Sequence, residues 1–257
     1  MPLREMGANP ESFFFDSLVW GMLFMFAFIL FGAWFRRRRR TRQAAEQARR
    51  LGFSVLPAPD PSFAARIRRA YAPSANARVA NVAWRRRDEL TVYLFDVATT
   101  RSGRTHLHTS VEEEVLALVS PRFNLPPFLL VNRPAGMDQA GQLVNSRVDL
   151  ALKQLGLTHG YRQVFLNHPG RLNQRMLLFT NNEEVVKPFF SPALVSFLAQ
   201  DNGYMLRAVG DMLIVGRFNF NRPESPPDRA ALIAGQDPLS GRIDQAIRLY
   251  DHILNDR

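Results

Sequence analysis

The chain has 257 residues, 46% of them apolar, which is enough for one sizeable core or two small ones and excludes a disordered polymer. Its formal charge of +10 is unevenly placed, with −2 over residues 1–35, +7 over 36–50 and +5 over 51–257. There is no cysteine, so disulfides, zinc–thiolate sites, iron–sulfur clusters and thiol nucleophiles are excluded together. Arginine outnumbers lysine 31 to 2. A planar fork for phosphate or carboxylate could explain that bias, but arginine-rich codon usage is the simpler reading.

Residues Met1–Asp16 are expected to form a short extracytoplasmic N-terminus. The next segment, Ser17–Phe35, carries no charge and reads as a transmembrane helix. At about 1.5 Å per residue it spans roughly 28 Å, close to the hydrocarbon thickness of a bilayer. Trp20 and Trp34 fall near its two ends, where indoles favour the headgroup zone. A cleaved signal peptide needs a basic start and a small-residue cleavage site, whereas this start is acidic and the run ends in arginines. Ser17, Gly21, Met25, Phe28 and Gly32 recur at helical spacing and define a candidate helix-packing face, with Ser17 and Gly21 as a small-xxx-small pair.

Arg36–Arg50 follows as a basic juxtamembrane helix ending near Gly52. Its Arg36, Arg37, Arg38, Arg39, Arg40, Arg42, Arg49 and Arg50 form a collar suited to anionic lipid headgroups. The positive-inside bias then puts Leu51–Arg257 in the cytoplasm, with the N-terminus outside a bacterial inner membrane. Within Leu51–Arg257, Asp60 and Pro61 read as an N-cap and first helical residue of a short helix running to Ile67–Tyr71. Period-two segments at Arg78–Trp84, Leu90–Ala98, Thr105–Val119 and Phe128–Val131 predict an antiparallel meander, with turns at Arg86-Arg87-Asp88 and Ser102-Gly103. Further strands are expected at Gln163–Leu166, Met176–Phe179, Met205–Val209 and Met212–Phe220, and helices at Glu183–Lys187 and Pro192–Gln200. Asn221–Gly241 is proline-rich and reads mainly as loop, with at most a short helix at Arg229–Ala234. The last helix, Arg242–Leu254, puts Ile243, Ile247, Tyr250 and Leu254 on one stripe that must be covered by the sheet or by a partner. The fold class is therefore α+β, a mainly antiparallel sheet with flanking helices behind one membrane helix.

Leu94-Phe95-Asp96, Ser102-Gly103-Arg104 and the run from Ser120 through Pro121-Arg122-Phe123-Asn124-Leu125-Pro126-Pro127 to Phe128 together resemble a loose pattern of uncharacterised bacterial single-span membrane proteins. The resemblance implies a bacterial source and a cytosolic α+β domain, and brings no catalytic residues with it.

Chemistry-bearing motifs are sparse. Lys153 and Lys187 follow Leu152 and Val186, so no phosphate-binding Gly-Lys loop is present, and G-x-G-x-x-G, G-x-S-x-G and H-E-x-x-H are missing. On a strand, His106 and His108 share one face near Glu112, Glu113 and Glu114, but spacing fixes no third ligand, and a solvent-facing polar pair is the preferred reading. His159, His168 and His252 stand singly. Asp96, within the apolar strand Leu90–Ala98, reads either as a buried carboxylate paired with arginine or as a residue at the exposed strand end; the structural pair is preferred, since a single carboxylate with no acid or base partner makes no mechanism. Trp84-Arg85-Arg86-Arg87 with Arg66, Arg68 and Arg69 combines stacking and charge as nucleic-acid binders do, yet an exposed turn beside an anionic membrane needs the same charge, and that or a protein partner is preferred. No catalytic residue, cofactor or metal is expected. The sequence reads as a non-catalytic accessory or scaffold subunit of a larger bacterial membrane complex, with an energy-transducing assembly, respiratory or photosynthetic, as a fitting context. Its partners would be other membrane-protein subunits and lipid headgroups, with nucleic acid disfavoured. The alternative is a membrane-tethered binding module for anionic lipid, nucleic acid or a signalling protein; an enzyme of unknown type is a third class.

Overall fold

The computed structural model describes residues 10–71, 76–102, 107–132, 160–166, 176–200, 204–217 and 238–255, in two units, Met1–Gln47 and Ala48–Arg257. The described part of the first unit lies in helix α1, Pro10–Arg50, which runs without a break through the apolar segment and the arginine collar. Phe31 stacks loosely on Trp34 and Phe35, and the Arg38 guanidinium lies 5.2 Å from the Trp34 ring centre. Among the described residues, no helix is long and apolar enough to cross a membrane. The described side chains of α1 begin at Met22 and skip Leu23, Ile29, Leu30 and Ala33, so they represent the run Ser17–Phe35 only in part. The helix ends at Arg50, just before Gly52, whose φ of +77° is the left-handed conformation that terminates helices, and the Phe53 N–H donates back to the Ala48 carbonyl at 2.9 Å.

The second unit is a mixed helix and antiparallel-sheet fold. Its described strands are β1 (Ser54–Val55), β2 (Asn76–Arg87), β3 (Leu90–Ser102), β4 (Leu107–Val119), β5 (Leu125–Asn132), β6 (Arg162–Val164), β7 (Met176–Thr180), β8 (Tyr204–Gly210) and β9 (Met212–Arg217). They form one sheet in the order β1-β2-β3-β4-β9-β8-β5-β7-β6, antiparallel at every pairing. The meander expectation holds for β2, β3 and β4. It fails after them, because the β8–β9 hairpin comes between β4 and β5, and pairing across such a separation is decided by packing.

Period-two alternation divides each central strand between two cores. Leu116 and Leu118 of β4, with Leu213 and Val215 of β9, face one cluster; Val115 and Ala117, with Met212 and Ile214, face the other. The second cluster is covered by α2, Pro61–Ala70, through Phe63, Ile67 and the following Tyr71. Asp60 caps this helix as expected: its carboxylate accepts from the Phe63 N–H at 3.1 Å and from the Ser62 hydroxyl. Those two bonds, the Ser62 one larger, hold its pKa below the usual carboxylate value. The first cluster is covered by α3 (Glu183–Val186), α4 (Pro192–Gln200) and α5 (Pro238–Asn255).

Three local expectations are corrected. Arg86 and Arg87 are strand residues, and the turn is Asp88-Glu89, with Asp88 at φ +53° as a two-residue hairpin requires. The final helix starts at Pro238 rather than after Gly241, since proline at a first helical position sacrifices no hydrogen bond. Strand β5 begins at Leu125 and includes Pro126 and Pro127, residues that usually argue against a strand; its pairing to β8 is irregular between Leu125 and Phe128, where the prolines sit. Thr105, His106 and Asn221–Asp237 lie outside the described residues.

Candidate functional site

The residues singled out from sequence fall into separate places. On α1, Phe24 is 80% exposed and Phe28 73%, and Met22, Met25, Phe26, Phe31, Trp34 and Phe35 are exposed as well. Phe24 through Phe28 are consecutive, so the apolar surface passes right round the helix. At Gly32 an added Cβ would meet no atom within 4 Å. The Ser17 and Gly21 side positions, and the side chains of Arg36 and Arg37, lie outside the described ones, while Arg38, Arg39, Arg42, Arg49 and Arg50 are exposed.

Of the arginines read as one basic cluster, Arg66, Arg85 and Arg86 take structural contacts. Arg66 forms an ion pair with Asp211 at 2.5 Å. Arg85 donates to the Leu51 carbonyl at 3.1 Å and lies over the Phe53 ring, fastening the chain that follows α1 to β2. Arg86 donates to the Asp88 carbonyl of its own turn. Arg68, Arg69 and Arg87 are left at the surface. Of the proposed histidine–glutamate group, His106 and the side chains of His108, Glu112 and Glu113 are outside the described residues, and Glu114 receives Arg242 from α5 at 3.1 Å. Among the described residues no cluster of three metal-ligating side chains forms.

Asp96 stands at the centre of two bulges. Pairing of β2 with β3 shifts between Ala80 and Ala83, and pairing of β3 with β4 shifts between Phe95 and Val97. Asn81 and Glu114, the extra residues, both have φ +52°. The Asp96 carboxylate accepts from the Asn81 side-chain amide at 2.6 Å and from the Glu114 N–H at 3.0 Å, while Arg242 donates to the Glu114 carbonyl at 2.6 Å. The carboxylate thus holds left-handed backbone on both neighbouring strands.

Two features escaped the sequence reading. One is an open cleft of about 430 Å³ lined by the Asp88-Glu89 turn, Arg87, Arg122 and the Tyr250–Asn255 end of α5. Its floor is fixed by Tyr250, whose hydroxyl is 3.1 Å from the buried Ser120 hydroxyl and whose ring meets Phe123 edge-on. The other is Arg207 on β8, only 3% exposed. Its Nη1 donates to the Ala70 carbonyl at 3.4 Å, its guanidinium lies 4.2 Å over Tyr71, and its Nη2 faces the Met205 sulfur at 3.7 Å. Among the described residues its Nε–H has no partner. A lone cation in the run Met205-Leu206-Arg207-Ala208-Val209 was the available signal, of the same kind as Asp96 in its strand.

The stripe on α5 is also settled: Ile243, Ile247 and Tyr250 belong to the core cluster of this chain's own sheet, and Leu254 packs against it. That stripe therefore needs no partner. No protein-family model matches the chain, and searches of curated proteins and of solved structures return no match.

Proposed function

We propose that this chain is a single-pass membrane protein acting as a non-catalytic accessory subunit of a larger bacterial membrane complex. The observation that carries the proposal is the exposed apolar surface of α1 in direct sequence with the arginine collar. Leaving side chains from Met22 to Phe35 in water forfeits on the order of 10 to 20 kcal/mol of apolar burial. Hydrocarbon or neighbouring helices are the media that recover it. The charge step from −2 before Arg36 to +7 over 36–50 favours a cytoplasmic Ala48–Arg257 unit in an inner membrane. Open space around Gly32 leaves room for another helix to approach. Because α5 covers its own sheet, recognition in this reading falls to α1 and to exposed surfaces of the second unit. The second reading, a membrane-tethered binding module, is favoured by the cleft beside Arg87 and Arg122.

Reporter fusions combined with mild-detergent purification test the proposal. A reporter after Arg257 should be active in the cytoplasm, and the parent chain should co-purify stoichiometrically with integral membrane proteins. Gly21→Leu should insert equally well, since leucine suits lipid, yet lose those companions because its side chain fills the approach groove. A periplasmic C-terminus refutes the topology. A monodisperse single chain that binds anionic vesicles refutes the subunit reading in favour of the module.

A further inference from the structure

We infer that Arg207 anchors a binding site for a carboxylate-bearing ligand, seated on the Nε–Nη2 edge of its guanidinium between the C-terminal end of α2 and strand β8. A guanidinium presents its donors in a rigid fork, and its side edge, Nε with one Nη, matches the two oxygens of a carboxylate. In this chain the other parts of the fork are occupied. Nη1 is directed to the Ala70 carbonyl at the end of α2, where the helix dipole favours a cation, and one face is covered by the Tyr71 ring. The side edge holds only the Met205 thioether on Nη2, and nothing described on Nε.

A cation that is 3% exposed is costly to desolvate, and one long hydrogen bond, a thioether and a ring offset that cost only in part. Among the described residues no carboxylate pairs with Arg207, whose contacts are the Ala70 carbonyl, the Met205 sulfur and the Tyr71 ring. Methionine is the neighbour best able to swing aside, having an unbranched side chain with soft torsions. Tyr161 lies within the electrostatic field of Arg207, and burial raises its phenol above the ordinary value while the arginine pulls it down. The phenol is neutral at pH 7 and able to donate to an anion. One buried cation favours a monovalent anion, because a phosphate dianion would leave a buried negative charge behind. That selects a carboxylate over a phosphate.

The test uses the full chain in detergent. Sodium acetate is titrated against sodium chloride at equal ionic strength, with thermal unfolding and the 15N-resolved arginine Nε–H spectrum as readouts, and inorganic phosphate as a parallel arm. The parent should show a saturable acetate-specific rise in Tm and a downfield shift of one buried Nε–H signal. Arg207→Lys keeps the charge but loses the fork and should weaken acetate binding at least about tenfold. Arg207→Met should abolish the response, and without acetate it should unfold at or above the parent Tm, since a buried unpaired charge is removed. If acetate moves neither Tm nor the Nε–H signal beyond chloride, or if the three chains respond alike, Arg207 is only a cap on α2. A response to phosphate and not to acetate overturns the carboxylate assignment. Should Arg207→Met fail to fold, the parent Nε–H spectrum and Arg207→Lys decide the matter.

Discussion

Replacing Asp96 by alanine removes a side chain that bonds both bulges. The hydrogen bonds that its carboxylate accepts at 2.6 Å from the Asn81 amide and 3.0 Å from the Glu114 N–H are lost. Bonds of this type contribute about 1.5 to 3 kcal/mol each when buried. Asp96 is half-buried, which places both at the lower end and gives a loss of about 3 kcal/mol in all. For a domain of this size that lowers Tm by roughly 6 to 12 °C. The assay is urea and thermal unfolding of the full chain, followed by Trp84, the one tryptophan of the second unit. Asp96→Asn should be milder, because its remaining carbonyl oxygen can still accept from Glu114 and the Asn81 amide can reorient to pair with the new one. Asn81→Gly should cost less than Asn81→Ala, since only glycine enters φ +52° without penalty. An Asp96→Ala chain within about 1 kcal/mol of the parent would refute the reasoning, for the bulges would then hold without their carboxylate.

At Gly52 the nearest atom to an added Cβ is the Arg85 Cδ at 3.9 Å, an ordinary contact, so Gly52→Ala should destabilise through φ +77° alone, by about 1 to 2 kcal/mol on denaturant titration. A neutral result would show that the helix terminus can rearrange. Tyr93 and Tyr161 have phenols raised above 10.0, chiefly by burial, so they bind the proton more tightly folded than unfolded. Their contribution is fully present below pH 10.0 and is lost as pH rises through the higher folded values. Tm should therefore fall in that alkaline window, and Tyr93→Phe should flatten the fall. Phenolate absorbance showing every tyrosine titrating at or below the ordinary value would contradict it.

Local chemistry was legible wherever a residue acts on its own neighbours. Asp60-Pro61 and Ser191-Pro192 announce helix starts because capping satisfies donors two or three positions away, and the Leu194 N–H does bond the Ser191 hydroxyl at 3.1 Å. Alternation in β4 and β9 announces two buried faces, because the pleat sends successive side chains to opposite sides. The 19 residues without charge before a run of arginines carry the membrane proposal by composition alone, since transfer free energies sum along a segment whatever its neighbours are. Arg85 and Arg66 look equivalent in sequence; only the packed chain sends them to the Leu51 carbonyl and Asp211. Insertion of the β8–β9 hairpin between β4 and β5, burial of Arg207 under Tyr71, and coverage of the α5 stripe by its own sheet are likewise contacts between residues far apart in the chain. Local propensity and periodicity are blind to such pairings, because their free energy arises only when the joined surfaces leave water together, and that is a property of the assembled core.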